Sequence, residues 1–201
     1  MKSLFRFGAP LAMGLALLSV PSAAHATGWD IDPTHSKLGF SIRHLMVSNV
    51  HGQFKKWTGT IEIDDKDPTK SKVEISADID SIDTDDEKRD THLKSPDFFD
   101  AAKFPKMTFK STKIAKSGKG YKVTGDLTIK DVTKSVTLDV DGPAKAVKDP
   151  WGGERSGATV TGVVKRSDYG LKWNAPLETG GVALGEDVKL EIEVELTKKK
   201  P

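Results

Sequence analysis

Beyond residue 26, the side chains that could do acid-base or metal chemistry are four histidines, and the chain has no cysteine. None of them forms an i, i+4 helical pair or a His-Glu-x-x-His pattern, the spacings that hold a zinc ion. No Gly-x-Ser-x-Gly turn, P-loop or Gly-x-Gly-x-x-Gly fingerprint is present either. We therefore predict no metal site, no catalytic residue and no cofactor. The histidines are His35, His44, His51 and His92.

Four cationic or titratable side chains could instead meet the polar group of a ligand. His44 has the strand parity of Ile42, so it should point inward, towards a ligand or towards a hydrogen-bond partner on a neighbouring strand. Arg89 and His92 are three residues apart, which places both on one face of a short helix. Arg166 has inward parity on its own strand, and an arginine can bind a phosphate with two parallel hydrogen bonds. The competing interpretation for these arginines is a salt bridge, to Asp90, Asp97 or Asp168.

In eight segments, apolar and polar residues alternate, which indicates strands with one buried apolar face and one solvent-exposed polar face. The clearest segment covers residues 187–195. Stretches rich in Gly, Asp and Pro separate the segments, so consecutive strands should pair as hairpins. An eight-stranded meander exposes two edges unless it closes, and a closed one can hold a small ligand. We predict an all-β, eight-stranded antiparallel barrel of the lipocalin-like kind. A β-sandwich, with identical alternation, remains the alternative.

The alternation stops between the third and fourth predicted strands, over a polar stretch at residues 83–93. Ser95 as N-cap with Pro96 at the first helical position predicts a short helix that begins there. This helix would carry Phe98 and Phe99 onto one mouth of the barrel, either as a plug of the core or as a lid over a ligand.

Inward positions of the strands, together with the two phenylalanines, would line an apolar channel through the barrel. The predicted channel residues are Phe40, Ile42, Trp57, Ile75, Ile79, Phe98, Phe99, Met107, Phe109, Leu127, Ile129, Val160, Val164, Leu190 and Ile192.

The N-terminal residues have the pattern of an export signal. Lys2 and Arg6 precede an apolar stretch, and Ala24-His25-Ala26 is a small-x-small cleavage pattern. We predict a signal peptide at residues 1–26 and one periplasmic domain at 27–201. The apolar stretch, about ten residues against the roughly 20 of a spanning helix, is too short to anchor the chain, and no later segment comes closer. The remaining Lys and Arg balance the 29 Asp and Glu and are interspersed with them, which argues against a nucleic-acid partner.

Six motifs follow in order along the chain: residues 29–36 (WDIDPTHS), 42–54 (IRHLMVSNVHGQF), 89–100 (RDTHLKSPDFFD), 103–109 (KFPKMTF), 125–130 (GDLTIK) and 166–170 (RSDYG). In them the sequence resembles the YceI family of exported polyisoprenoid-binding proteins, from Trp29 to about Leu196. The resemblance implies an elongated eight-stranded barrel whose lumen holds a long isoprenoid or fatty chain, with the polar head near one mouth.

We therefore expect a periplasmic binding protein, not an enzyme, for a long-chain amphiphilic lipid. The ligand would be a polyisoprenoid, such as an isoprenoid quinone or a prenyl phosphate, held for transport, storage or sequestration. Burial of its tail would supply about 0.8 kcal/mol per CH₂, and its head would meet His44, Arg89, His92 and Arg166. The alternative is an enzyme that acts on the head of an isoprenoid or fatty ester through His44, Arg89 and His92. The natural lipid, the delivery partner and pairing as a homodimer stay open.

Overall fold

A computed structural model describes residues 26–64, 66–178 and 180–199 of the chain. No helix in this part of the chain is long and apolar enough to cross a membrane. The predicted export signal lies outside the described residues, apart from Ala26. Helix α1 covers Glu87–Lys94. The strands are β1 Ala26–Ile31, β2 Lys37–His44, β3 Ser48–Phe54, β4 Trp57–Asp64, β5 Lys72–Asp78, β6 Ile82–Asp83, β7 Lys106–Ser117, β8 Gly120–Ile129, β9 Val132–Asp141, β10 Val147–Lys148, β11 Glu154–Lys165 and β12 Leu184–Lys198.

The strands close into an antiparallel barrel with eight positions. The ring runs β12, β1, β4, β5, β7, β8, β9 and β11, and β11 then pairs with β12 along its whole length. Strands β2, β3 and β6 continue the barrel positions of β1, β4 and β5, respectively, towards one end of the barrel. The two-residue strand β10 pairs with the start of β11. Because the last strand, β12, pairs with β11 on one side and with the first strand, β1, on the other, the predicted barrel is confirmed over the sandwich.

The first barrel position is split into β1 and β2 by a local turn. Ile31 pairs with Leu196 but Lys37 pairs with Glu193, so the intervening residues bulge out of the ladder. The carboxylate of Asp32 accepts hydrogen bonds from the backbone N–H and the hydroxyl of Thr34, at 2.9 and 2.6 Å, which stabilises this turn. The alternation pattern did not predict β1 or β3, because bent strands of this kind lose their period at the bend.

The predicted helix exists between the third and fourth barrel positions, but its predicted start is wrong. Asp86 is the N-cap, and its carboxylate accepts a hydrogen bond from the Arg89 N–H at 3.0 Å. Ser95 is the C-cap in an extended conformation, as expected of a residue before proline. The polar stretch of residues 83–93 is thus mostly helix, whereas Phe98 and Phe99 lie in the turn that follows it.

The barrel is packed at the end near α1 and hollow along its middle. Two buried clusters fill the α1 end, and Phe99 packs against both. In contrast, inward residues of the central ring such as Phe40, Val160 and Ile192 are only partly buried, because their side chains face a cavity. One cluster contains Phe98, Leu127, Ile129, Val164, Tyr169 and Leu171, and the other contains Phe54, Ala77, Ile79, Ile82 and Ala101.

Candidate functional site

An elongated cavity of about 650 Å³ occupies the barrel, a volume typical of pockets that enclose most of a small ligand. Apolar side chains from all eight barrel positions line it. Every predicted channel residue belongs to this lining except Ile79. Strand β5 ends at Asp78, so the alternation stops there, and Ile79 starts a 3₁₀ turn and is buried beside Ala77. Phe98 and Phe99 both pack in the core, as a plug would, and both line the cavity.

The cavity is electrically asymmetric along its length. Every residue of the lining with a charged or imidazole side chain lies at the α1 end: His44, Asp86, Lys88, Arg89, His92 and Arg166. Asp86 and Lys88 are exposed, so the cavity reaches the surface beside α1. The opposite end of the lining contributes Pro68, Ser71, Tyr121 and Pro143. Three cations and one carboxylate therefore gather at one end of an otherwise apolar space.

Arg89 is held at the mouth of the cavity by a neighbouring buried residue. Its Nε donates to the hydroxyl of Thr84 at 2.8 Å, and its Nη2 donates to the Thr84 carbonyl at 2.6 Å. Asp90 accepts from the N–H and the hydroxyl of Thr84, at 3.0 and 2.6 Å, which fixes Thr84 in turn. Nη1 makes no hydrogen bond to the described residues, so this nitrogen can bind a ligand.

His92 and His44 lie at the same end of the cavity. The Nε2 of His92 is 2.9 Å from a carboxylate oxygen of Asp97, and its ring packs edge-on against Phe98 and Trp173 at centroid distances of 5.0 Å. His44 ends β2, where it pairs with Leu184 of β12. These two histidines and Arg89 line one region, as predicted, although Arg89 and His92 already use nitrogen atoms on protein partners. A histidine held by a carboxylate is compatible with ligand binding and with acid–base chemistry alike.

Arg166 also lines the cavity, but its contacts differ from the predicted salt bridges. It is buried, its Nε donates to the carbonyl of Gly185 at 2.8 Å, and its Nη1 donates to the carbonyls of Leu171 and Trp173 at 2.6 and 2.8 Å. No carboxylate of the described residues forms an ion pair with it, because the Arg166 side chain points into the barrel. Burial lowers the pKa of this guanidinium, and the more distant charge of Glu186 partly opposes that shift.

Tyr169 is a site residue that the sequence patterns did not reveal. Its side chain is 2% exposed and lines the cavity, yet its hydroxyl has no hydrogen-bond partner among the described residues. Burial raises the pKa of this phenol to about 12, so the group is a neutral donor. Its place four residues after the end of β11, outside any alternating run, concealed its inward orientation. A buried hydroxyl without a hydrogen-bond partner is costly.

Outside the cavity, one group in the described part of the chain offers three potential metal ligands: Asp32, His35 and Glu195. The guanidinium of Arg155 lies 2.6 Å from both carboxylates and donates to Asp149 at 3.1 Å as well. Hydrogen bonds from Thr34 and Arg155 hold the pKa of Asp32 far below its usual range. A cation therefore already occupies the centre of this group, which joins β1, β11 and β12. The remaining histidine, His51, is 3.5 Å from Glu191 on the outer surface.

A closed eight-stranded barrel with a hollow apolar interior defines the class of lipocalin-like binding barrels. The chain belongs to the YceI-like domain family, whose model matches residues 29–196. That match covers nearly all the described residues. The predicted family is thereby confirmed.

Relatives and solved structures agree with this assignment. A UPF0312 protein of Staphylococcus aureus (strain MSSA476) is 43% identical over 171 residues, which cover 85% of this chain and 98% of the relative. The crystal structure of a Campylobacter jejuni YceI protein has a TM-score of 0.68 at 35% identity, and the match covers 84% of this chain and 96% of that one. A polyisoprenoid binding domain from Saccharophagus degradans has a TM-score of 0.57 at 15% identity, covering 87% and 100% of the two chains. At that identity the likeness concerns the fold alone.

Proposed function

We propose that the protein binds a long-chain polyisoprenoid with an anionic head, with the tail in the barrel and the head at the α1 end. The observation that carries this proposal is the asymmetric cavity: an apolar space of about 650 Å³ with its charged groups at one end. An amphiphile matches that distribution in one orientation. At about 0.8 kcal/mol per buried CH₂, a long tail offsets the cost of ordering it, whereas a short one does not.

The head-group residues favour a phosphate over an uncharged quinone. Lys88, Arg89 and Arg166 bring three positive charges to the lining against the single carboxylate of Asp86. Nη1 of Arg89 and the hydroxyl of Tyr169 are donors without partners among the described residues. A phosphate accepts such hydrogen bonds strongly, because its oxygen atoms are negatively charged and can bind an arginine through two parallel bonds. A quinone carbonyl would satisfy the donors but would leave the positive charges uncompensated.

The biological setting of the proposal follows the sequence patterns. Residues 1–26 would direct the chain to the periplasm, where the barrel would transport, store or sequester the lipid. The polyisoprenoid binding domain of Saccharophagus degradans supplies a precedent for such a ligand in this fold. The chemistry of the ligand rests on the cavity of this chain and not on that likeness.

The proposal is tested by native mass spectrometry of protein purified from cells, combined with two matched tryptophan variants. Val160→Trp places a large ring in the cavity, while Val163→Trp places the same ring on the exposed outer face of the same strand, β11. We expect the wild type and Val163→Trp to carry an intact prenyl lipid and Val160→Trp to lose it. Filling space that the native side chains leave open should cost less than the about 1 to 3 kcal/mol of overpacking a filled core.

Binding constants for geranylgeranyl phosphate, measured by titration calorimetry, complete the test. Wild type and Val163→Trp should bind it equally, and a fully folded Val160→Trp should bind it at least tenfold more weakly. A folded Val160→Trp protein that binds as tightly as Val163→Trp would show that the tail does not occupy the barrel. Release of a dephosphorylated prenyl product by the wild type would favour the enzyme alternative instead.

A further inference from the structure

Five exposed apolar side chains surround the mouth at the α1 end, and we call them the apolar rim: Leu45, Met46, Val47, Trp173 and Val182. Leu45, Met46 and Val47 form the turn between β2 and β3 and are 40%, 51% and 74% exposed. The N–H of Leu45 donates to the carbonyl of Ala183 at 2.8 Å, so this turn lies beside Val182. Trp173 continues the rim to α1, because its ring packs against His92 of the cavity mouth.

The turn in the rim is unfavourable by two local criteria at once. Leu45 and Met46 have φ angles of 49° and 62°, and the N–H of Val47 donates to the His44 carbonyl at 3.0 Å, which is the geometry of a type I′ turn. Asn-Gly is the preferred pair in such a turn, because a left-handed backbone is costly for branched and bulky residues. Here two large apolar residues occupy it and are exposed to water. Strained residues of this kind cluster at functional sites.

We infer that the apolar rim docks the barrel onto a lipid bilayer, so that the cavity mouth opens against the membrane. Exposed apolar side chains around a cavity mouth bury themselves in the interface between headgroups and acyl chains, where a tryptophan such as Trp173 is favoured. Arg43 and Lys172 flank the rim and form no ion pair with any described residue, and Nη2 of Arg43 donates to the Met46 carbonyl at 2.9 Å. These cations complement anionic headgroups.

This inference rests on the proposed function. A membrane lipid must cross water to reach the cavity unless the cavity mouth is in contact with the bilayer. The charged side chains of the cavity lie at the rim end. With the rim docked, the head group needs to move only a short way from the bilayer surface to Arg89 and Tyr169. The tail can then follow it into the barrel without exposure to water.

The experiment replaces the strained turn by the residues that its geometry prefers. In the double variant Leu45→Asn with Met46→Gly, the melting temperature should rise by about 2–4 °C while vesicle binding falls. Co-sedimentation with phosphatidylcholine vesicles, with and without phosphatidylglycerol, gives the partition coefficient. We expect the double variant to partition at least tenfold more weakly than the wild type onto vesicles of both compositions. The wild type should bind more strongly to the vesicles that contain phosphatidylglycerol.

The matched control is Trp151→Ser combined with Val147→Ser, at the opposite end of the barrel, where Trp151 is 84% exposed. This control should leave vesicle binding unchanged. An equal loss in both variants, no wild-type binding, or retained binding in the turn variant would overturn the inference. A change in sedimentation velocity from dimer to monomer in the turn variant would also overturn it, because the rim would then cover a second copy.

Calorimetry with geranylgeranyl phosphate in solution separates the two proposals. If the turn variant binds this ligand like the wild type but acquires it more slowly from vesicles, both proposals hold. If the wild type binds vesicles but not the prenyl phosphate, the proposed function fails while docking stands. If it binds the prenyl phosphate but not vesicles, docking fails alone.

Discussion

Removal of one buried hydroxyl should stabilise this protein and weaken its ligand binding at the same time. The substitution is Tyr169→Phe, which deletes a buried hydroxyl that has no partner among the described residues, on a residue that lines the cavity. A buried polar group without a hydrogen bond costs about 1 to 3 kcal/mol. Taking the lower figure, we expect a gain of about 1 kcal/mol and a melting temperature higher by about 2–4 °C.

The effect on binding should have the opposite sign and should depend on the head group. A hydrogen bond to a charged acceptor contributes about 1.5 to 3 kcal/mol, which is roughly tenfold to a hundredfold in affinity. Geranylgeranyl phosphate should therefore bind Tyr169→Phe at least about tenfold more weakly. Geranylgeraniol has the same tail with a neutral hydroxyl, so its affinity should fall only a few-fold.

The assay is titration calorimetry of both ligands, together with thermal unfolding of the free protein. Tyr121→Phe is the control, since Tyr121 lines the opposite end of the same cavity. It should leave the ratio of the two affinities unchanged. An unchanged ratio in Tyr169→Phe would refute the assignment of this hydroxyl to the head group, and a loss of stability would show that the hydroxyl has a partner in the free protein.

Two further predictions concern the arginines. Arg155→Ala removes the cation shared by Asp32, Asp149 and Glu195, so its melting temperature at pH 7 should be well below that of the wild type. Because the pKa of Asp32 is depressed in the folded state, this stabilisation is present above about pH 4 and is lost below it. The difference in melting temperature between the wild type and Arg155→Ala should therefore become smaller as the pH falls. A difference that does not change with pH would show that the charge of Asp32 does not contribute to this stabilisation. In calorimetry, Arg89→Ala should weaken the binding of geranylgeranyl phosphate at least about tenfold more than the binding of geranylgeraniol. Equal losses would mean that Arg89 serves only to hold Thr84.

The fold could be predicted from the sequence where each strand is regular, and not where it bends. Alternation located the long strands β8 and β12 because each keeps one period over many residues. It missed β3, where Ser, Asn, His and Gln leave few apolar positions, and it extended β5 by one inward position to Ile79. The helix start was misplaced because the Ser95-Pro96 pair can begin a helix or end one, and the N-cap Asp86 was hidden among other acidic residues.

The candidate site was predicted in part. His44 was placed inward by parity, which strand geometry enforces, and it lines the cavity. Arg166 also lines the cavity, although it lies one residue beyond β11, in a 3₁₀ turn and not in the strand that parity assumed. The partners of Arg166 could not be predicted, because the carbonyls of Leu171, Trp173 and Gly185 reach it through a long irregular loop. Backbone carbonyls carry no sequence signature. The orientation of Tyr169 could not be predicted either, because this residue lies in a 3₁₀ turn beyond the last residue of β11, where strand alternation no longer applies.

The carbonyl partners of Arg166 bear on which head group the cavity prefers. Carbonyl dipoles stabilise a buried guanidinium without cancelling its charge, whereas a carboxylate partner would make the site neutral. Burial lowers the pKa of Arg166, and the charge of Glu186 opposes that shift only in part. In surroundings of low dielectric constant the residual positive charge acts strongly on any charge nearby and is little screened by salt. A phosphate at the mouth would supply the missing negative charge and would restore the normal pKa of the arginine. An uncharged head would leave the charge as it is, so we expect Arg166 to favour an anionic head even without direct contact.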